Sequence, residues 1–532
     1  MGRQQKDLKV SVIDLGFNSA KLANYNVDKD NSYTAYSQEG VTVRLGEGLD
    51  EVGHLNNESI YRTINALKLF KDIINFETTE CVLAVATSAV REATNRQEFL
   101  KEVYQETGFQ FRVLSGKEES LYSYLGALKS TCIPTALFFD LGGGSLEMVY
   151  AENFKIKKFI SLPLGALRLS RSYKDGSDIT FTKKNYSRLE QYILEELPDR
   201  SELDMSPDTT LVGVGGTLRA IARYDQEIQQ YILDKIHNYR IDHESIDSIS
   251  KKFYKMTTHE IAKIDAIGNS RAETITSGAC TINMLMRKLG FNRVVVSAQG
   301  LREGILLSFL ESPQQYYKEE DTNQGQIENY VRVNCELGMV STYSQDLILP
   351  LVYHGMLRER EYEILNLGIK RISKTVLATN IYNLFYMIID EDIAYLSHSE
   401  QLVLALSIIH TKKPKSANRL FKRYETILQS QNRRSIEKIS ACIVILGILE
   451  RYKCNIQVTF CDEKKKIVIA IIADKDNLQF PKMLFNNVIK KFESAFDIRV
   501  DFSISYKSGR MMRTRTARTE ANSPIVSIDK GG

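Results

Sequence analysis

The chain has 532 residues, 43% apolar and 26% charged, with a formal net charge of +4. That length allows roughly three or four domains with sizeable cores, and the near-balance of charge excludes arguing for a polyanion partner from composition alone. Seven cysteines form no Cys-x-x-Cys pair and sit mostly in apolar runs, the pattern of reduced core thiols. The polar start, Met1-Gly2-Arg3-Gln4-Gln5-Lys6, lacks the apolar stretch of a secretion signal, and the longest apolar run, 441–449, is too short to span a bilayer. The expectation is a soluble cytoplasmic protein.

In chain order, a first apolar strand ends at Asp14-Leu15-Gly16 and turns through Phe17-Asn18-Ser19-Ala20-Lys21-Leu22 into a second strand. A strand region near 32–43 and a helix over about 59–75 follow. The short strand 80–86 ends in Thr87-Ser88-Ala89-Val90-Arg91. Small and hydroxyl residues with an arginine at a strand end suit a phosphate, which guanidinium pairs bidentately; they equally suit a helix N-cap with a surface arginine. After a strand at 111–114, Ser115 and Glu118 fit a capping box, which gives Glu118 a structural job. Glu119 points elsewhere in that first turn, either as a solvated acid or as a base that orients an attacking water.

The stretch Phe138-Phe139-Asp140-Leu141-Gly142-Gly143-Gly144-Ser145-Leu146-Glu147 is central. A buried strand ends at an acid, three glycines turn, and a strand returns. Without Cβ atoms such a turn can aim several N–H groups at one anion, with Asp140 placed to hold a metal beside it. Alone this reads as well as a plain hairpin. Its weight comes from repetition: Asp-Leu-Gly-x-x-Ser occurs at Asp14 and again at Asp140, about one domain length apart. Two such hairpins can clamp a phosphate chain across a cleft. Further on, a strand enters a helix through Gly213-Val214-Gly215-Gly216-Thr217-Leu218-Arg219, either an anion-binding helix start or a sharp turn. Arg271 with Glu273, and Arg302 with Glu303, read as charged helix starts.

Beyond about residue 318 the pattern changes to amphipathic helices near 326–337, 343–354, 359–380 and 399–409. Lys412, Lys413, Lys415, Arg419, Lys422 and Arg423 then crowd together without an acid, and Arg433-Arg434 follow. Such a run is either a solvated face or a guide for a long polyanion. A hairpin around 462–466, a helix over 481–496 and a strand at 498–505 read as a small α/β cap. The tail from 507 carries arginines with little apolar content and reads as disordered.

The ordered motifs Asp-Leu-Gly-x-Asn-Ser, Thr-Ser-Ala-x-Arg, Ser-Gly-x-Glu-Glu, Asp-Leu-Gly-Gly-Gly-Ser-x-Glu, Ser-Leu-Pro-Leu-Gly-Ala-x-Arg-Leu, Gly-x-Gly-Gly-Thr and Gly-Leu-Arg-Glu-Gly resemble the exopolyphosphatase and guanosine pentaphosphate phosphohydrolase family, over about 10–310. The resemblance implies an α/β fold of two actin-like (ribonuclease H-like) domains around a cleft, at 1–130 and 131–312. By it Glu119 falls on the catalytic glutamate, Asp140 and Glu147 on acids tied to Mg²⁺ and catalysis, Asp14 on the acid of the first phosphate hairpin, and Asn18, Ser19, Arg91 and the Gly143-Gly144-Ser145 backbone on phosphate-handling positions; Arg91 is counted with Glu119 as catalytic, and Asp14 with the acids for Mg²⁺. Lys21 and the Gly215-Gly216-Thr217 helix start are counted with these as substrate contacts. Phe17 departs from the small residue usual in the first hairpin.

In many relatives the following region resembles the His-Asp phosphohydrolase fold. None of the seven histidines here is followed by Asp, so 320–450 is expected to be a degenerate helical domain, with a small α/β domain at 451–506 and the basic tail after it. The function implied is a Mg²⁺-dependent exopolyphosphatase acting on inorganic polyphosphate. Guanosine pentaphosphate is the alternative substrate, and a silent nucleotide or polyphosphate sensor the alternative class. Neither nucleic acid nor a membrane is expected as a partner, and a homodimer is compatible.

Overall fold

A computed structural model describes residues 8–29, 31–49, 53–173, 181–313, 344–375, 380–394, 396–451, 455–461, 466–473, 482–506 and 511–513. The chain divides into two units, Met1–Glu336 with Asp392–His398, and Leu337–Glu391 with Ser399–Gly532. Among the described residues no helix is long and apolar enough to cross a membrane.

In the first unit, strands β1 (Leu8–Leu15), β2 (Ser19–Val27), β3 (Tyr33–Thr42), β4 (Cys81–Ala86) and β5 (Arg112–Val113) form a five-stranded sheet in the order β3-β2-β1-β4-β5. Strands β6 (Ala136–Leu141), β7 (Leu146–Glu152), β8 (Lys155–Leu162), β9 (Thr210–Val214), β10 (Arg240–Asp242) and β11 (Arg293–Val296) form a six-stranded one, β10-β11-β9-β6-β7-β8. The plan repeats. β1 and β6 each pair antiparallel with their hairpin partner on one side, and parallel with β4 or β9 on the other.

Alternation along these two strands explains why their ends carry the chemistry. Ile13 and Leu15 enter one apolar cluster while Val10 and Val12 enter another; Leu137 and Phe139 likewise separate from Ala136 and Phe138. Successive side chains point to opposite faces, so both faces are committed to core. Only the C-terminal edge of each strand remains open, and Asp14 and Asp140 lie there.

The expected helix at 326–337 lies outside the described residues. The one expected over 343–354 is a π-helical turn, Ser344–Ile348, followed by Leu349–Tyr353, because Pro350 has no N–H to continue the regular ladder. The helix expected over 359–380 is described over Glu359–Thr375, and a second, Ile381–Asp390, starts under an Asn380 side chain that accepts the Tyr382 N–H at 3.1 Å. The basic run falls mainly on a helix, Pro414–Arg423, followed by Asn432–Arg451. Strands β12 (Asn455–Cys461), β13 (Lys466–Ala473), β14 (Arg499–Tyr506) and β15 (Met511–Arg513) form a four-stranded sheet in sequence order. The last of these corrects the expected disordered tail at 511–513: this segment pairs antiparallel with β14 and so satisfies the backbone groups of a sheet edge. The end of that tail, 514–532, lies outside the described residues.

Candidate active site

The two hairpins place equivalent pairs side by side. Asp14 stands opposite Lys21 in the β1–β2 register, and Asp140 opposite Glu147 in β6–β7. Residues directly opposed in an antiparallel pair share a face with Cβ atoms about 5 Å apart. One hairpin thus offers an acid and an amine, with Lys21 Nζ 3.6 Å from Asp14 Oδ2, and the other offers two acids.

The turns of the two hairpins meet. A Cβ built on Gly143 would lie 3.2 Å from the Cβ of Asn18. Behind them, a Cβ on Gly165 would lie 2.1 Å from the Gly144 carbonyl carbon, an approach that only glycine permits. Phe17 is accommodated in the same way. Its buried ring fills space beside Gly144 and Gly46, where a Cβ would come within 2.5 Å and 2.3 Å of ring atoms.

The expected capping box opens the Gly116–Thr131 helix. Ser115 N–H donates to Glu118 Oε2 at 2.9 Å and Glu118 N–H to Ser115 Oγ at 3.2 Å. With Glu118 so occupied, Glu119 turns inward, is buried, and accepts from Arg91 Nη1 at 2.8 Å. The same Nη1 reaches the Leu114 carbonyl at 2.9 Å, so Arg91 is neither a surface group nor wholly free for a ligand. One turn after Glu119, Ser123 Oγ donates to Asp140 Oδ2 at 2.7 Å. The sequence reading passed over Ser123, although its i+4 spacing from Glu119 puts both on one helix face. Ser161 Oγ, opposite Glu147 in the β7–β8 register, donates to Glu147 Oε1 at 3.1 Å.

Asp14, Asn18, Ser19, Lys21, Glu119, Asp140, Gly143, Glu147 and Gly215 line one cavity of about 100 Å³, with Arg219, Arg302 and Glu303. Gly216, Thr217 and Arg271 line a neighbouring one of about 110 Å³ that shares Asn18, Ser19, Lys21 and Gly143. Arg91, Gly144 and Ser145 line neither: Arg91 stands behind Glu119, Gly144 lies against Phe17, and Ser145 lies beside Glu147. Gly215 has φ +102°, and a Cβ there would fall 2.9 Å from Asp140 Oδ1, so the start of the Gly216–Ile228 helix closes onto the acid.

Arg219, Arg302 and Glu303 went unassigned in the sequence because nothing local distinguishes them from ordinary helix charges. Glu303 does cap its helix, accepting Gly300 N–H at 2.9 Å, but it also accepts the Tyr25 hydroxyl at 2.7 Å. Glu273 is not a helix start. That helix begins at Ile275, and Glu273 pairs with Arg44 at 2.9 Å and Arg171 at 3.4 Å.

Burial pushes the Glu119 carboxyl up to about 7, outweighing the opposing pull of Arg91. Burial also raises Asp140, against its Ser123 hydrogen bond, and raises Glu147 well above the usual range with the Glu119 charge adding to it. Burial is the main cause for all three, and a cation bound beside them would oppose it by favouring their charged forms. Among the described residues no three His, Cys, Asp or Glu side chains converge as a ready-made metal cluster. An all-oxygen set of this kind fits Mg²⁺, which takes one or two carboxylates and completes its shell with water and phosphate oxygens.

A family model described as the Ppx/GppA phosphatase family matches residues 26–313. The chain is 28% identical over 314 residues to the bifunctional 3-dehydroquinate synthase/phosphatase of Fusobacterium nucleatum, covering 56% of this chain and 46% of that protein, so it spans under half the relative's length. It is 29% identical over 315 residues to exopolyphosphatase 2 of Mycobacterium tuberculosis, covering 56% of this chain and 98% of that one. A crystal structure of an exopolyphosphatase from Cytophaga hutchinsonii matches in fold with a TM-score of 0.53 at 24% identity, over 57% of this chain and 98% of that chain. With the duplicated hairpin sheets and the acid-lined cleft, these likenesses establish that the chain has the mixed α/β, actin-like fold over its first 310 or so residues and belongs to the Ppx/GppA phosphatase family.

Proposed function

We propose that the protein is a Mg²⁺-dependent exopolyphosphatase that releases orthophosphate from the end of inorganic polyphosphate. The observation that carries this reading is the enclosure of Asp14, Glu119, Asp140 and Glu147 in one cavity with the paired glycine turns. Phosphoryl transfer asks mainly for alignment and charge neutralisation. Hairpin amides around Gly143 and the side chains of Asn18, Ser19 and Lys21 hold the terminal phosphate. Glu119 takes a proton from the water that attacks the terminal phosphorus, and the bridging oxygen leaves with the shortened chain. Arg91 holds Glu119 in place and supports its charged form. One or two of Asp14, Asp140 and Glu147 would hold Mg²⁺, which when bound would neutralise phosphate charge. The same reading assigns the protein to the cytoplasm, supported by free buried thiols at Cys280 and Cys442.

Phosphate release from long-chain polyphosphate and from guanosine pentaphosphate at fixed Mg²⁺, with Glu119→Gln as control, tests the reading. Turnover of polyphosphate that disappears in the variant supports it. Exclusive turnover of the nucleotide transfers the site to the alternative substrate, and binding without turnover of either would mark a sensor.

A further inference from the structure

Arg219 is a cation that the proposed chemistry leaves unused. It lies in the first turn of the Gly216–Ile228 helix, its backbone N–H bonded to the Gly215 carbonyl at 3.3 Å, and it lines the cavity that holds the four acids. Its side chain is only partly accessible. Nη1 donates to the Ala298 carbonyl at 3.0 Å. Among the described residues no carboxylate stands within ion-pair distance of it. A guanidinium has five N–H donors, so a single carbonyl leaves others of this one open to oxygens of a ligand in the cavity. Arg302 lines the same wall, and its hydrogen bond is to the neutral Gln38 side chain at 3.3 Å. Burial and the nearby Arg302 charge both press on Arg219, whose pKa falls to about 10, so it remains charged at neutral pH.

The cations in and behind the cleft have different partners: Lys21 stands 3.6 Å from Asp14, Arg91 lies behind Glu119, and Arg219 faces the cavity. Arg91 is bonded to Glu119 and its charge acts on Glu119 and Glu147, whereas Arg219 acts on Asp140 from the Ala298 side. A terminal phosphate held on the Glu119 and Lys21 side would leave the next phosphate of the chain within the reach of Arg219. Resting on the function proposed above, we infer that Arg219 is a substrate contact that binds the phosphate next to the scissile one, the group that departs with the bridging oxygen. Guanidinium suits that position because it pairs two phosphate oxygens at once and stays charged while the leaving group gains charge.

The test measures binding of orthophosphate and of tripolyphosphate by calorimetry in the full chain carrying Glu119→Gln, with and without Arg219→Met. The expected result is at least tenfold weaker tripolyphosphate binding in the double variant with orthophosphate binding changed less than twofold, and partial recovery in Arg219→Lys. Equal weakening of both anions with a lowered melting temperature would show that Arg219 only supports the Ala298 turn, and would overturn the inference. So would unchanged tripolyphosphate binding. If Arg219→Met does not fold, Arg219→Lys, which keeps charge and bulk but loses the paired donors, gives the same comparison. Parent protein that binds neither anion and releases no phosphate overturns the proposed function as well, which separates the two failures.

Discussion

Arg91 Nη1 lies 2.8 Å from Glu119 Oε2, a contact between a residue just after β4 and one in the first turn of a helix that follows β5. The pair works against the burial that otherwise raises Glu119. If Glu119 accepts the proton from water, kcat/KM should fall as pH drops through about 7, because the protonated carboxyl cannot accept. Arg91→Met removes the opposing cation and should move that acid limb to higher pH, while Glu119→Gln should lower kcat by roughly 10²–10⁴-fold. A pH–rate profile of the three proteins checks both. An unmoved limb in Arg91→Met would separate Glu119 from the profile.

Close packing of the glycine turns predicts an order of stability. A Cβ at position 165 meets the Gly144 backbone at 2.1 Å, which cannot move without shifting the turn, whereas one at 144 meets the Phe17 ring at 2.5 Å and the Ser88 hydroxyl at 2.7 Å. Gly165→Ala should destabilise by about 2–4 kcal/mol and Gly144→Ala by less, since side chains yield more readily than backbone. Urea unfolding of the two variants gives the comparison, and the reverse order would refute it.

His398 is buried in the first unit. Its Nε2 contacts the His237 carbonyl at 2.8 Å and its Nδ1 the Tyr231 hydroxyl at 2.8 Å. A neutral ring satisfies both, donating at Nε2 and accepting at Nδ1, but a second ring proton would face a donor. Burial depresses this histidine to about 4 from an ordinary 6.5, with Lys235 and His237 adding to it and Asp392 opposing. The unfolded chain binds the proton first as pH falls. The contribution is therefore fully present above 6.5 and lost between 6.5 and about 4, a loss of roughly 3 kcal/mol. Melting temperature against pH should show a shallower fall over that window in His398→Gln than in the parent; parallel curves would exclude the assignment.

Mg²⁺ should raise the melting temperature by mass action, by as much as about 2.7 kcal/mol of stability at a hundredfold excess over its dissociation constant. Asp140→Asn should lose most of that gain. Calorimetric scans with and without the ion read the difference, and an equal gain in the variant would remove Asp140 from the set.

The helix Pro414–Arg423 carries Lys415, Arg419, Lys422 and Arg423, and among the described residues none of these makes an ion pair. If they attract a long polyanion, the affinity for long polyphosphate should fall steeply with salt. Neutralising Lys415, Arg419 and Lys422 should reduce the slope of log K against log salt by about 2. A slope unaffected by these changes would leave the run as a solvated face.

The duplicated hairpin was legible because it is local. An apolar strand, an acid and glycines in a row have few alternatives, and the repeat at Asp14 and Asp140 carried the sheet plan with it. The Ser115–Glu118 cap could be read for the same reason. The break at Pro350 and the new start at Asn380 were missed, although both are local, because amphipathic periodicity continued across them.

What the residue order determined by itself was the chemistry available: two acid-plus-glycine turns, a spare glutamate after a capping box, and the absence of any His-Asp pair. What only tertiary structure decided was which charges share one cavity. Arg219 and Arg302 are ordinary helix residues in sequence, and Ser123 an ordinary serine. Ser123 bonds Asp140 and the two arginines share its cavity because β6, β9 and the helices after Ser115, Gly215 and Gly300 converge at one end of the second sheet. Electrostatic and hydrogen-bonding partners are set by distance in space, and chain separation carries almost no information about that distance once strands cross over.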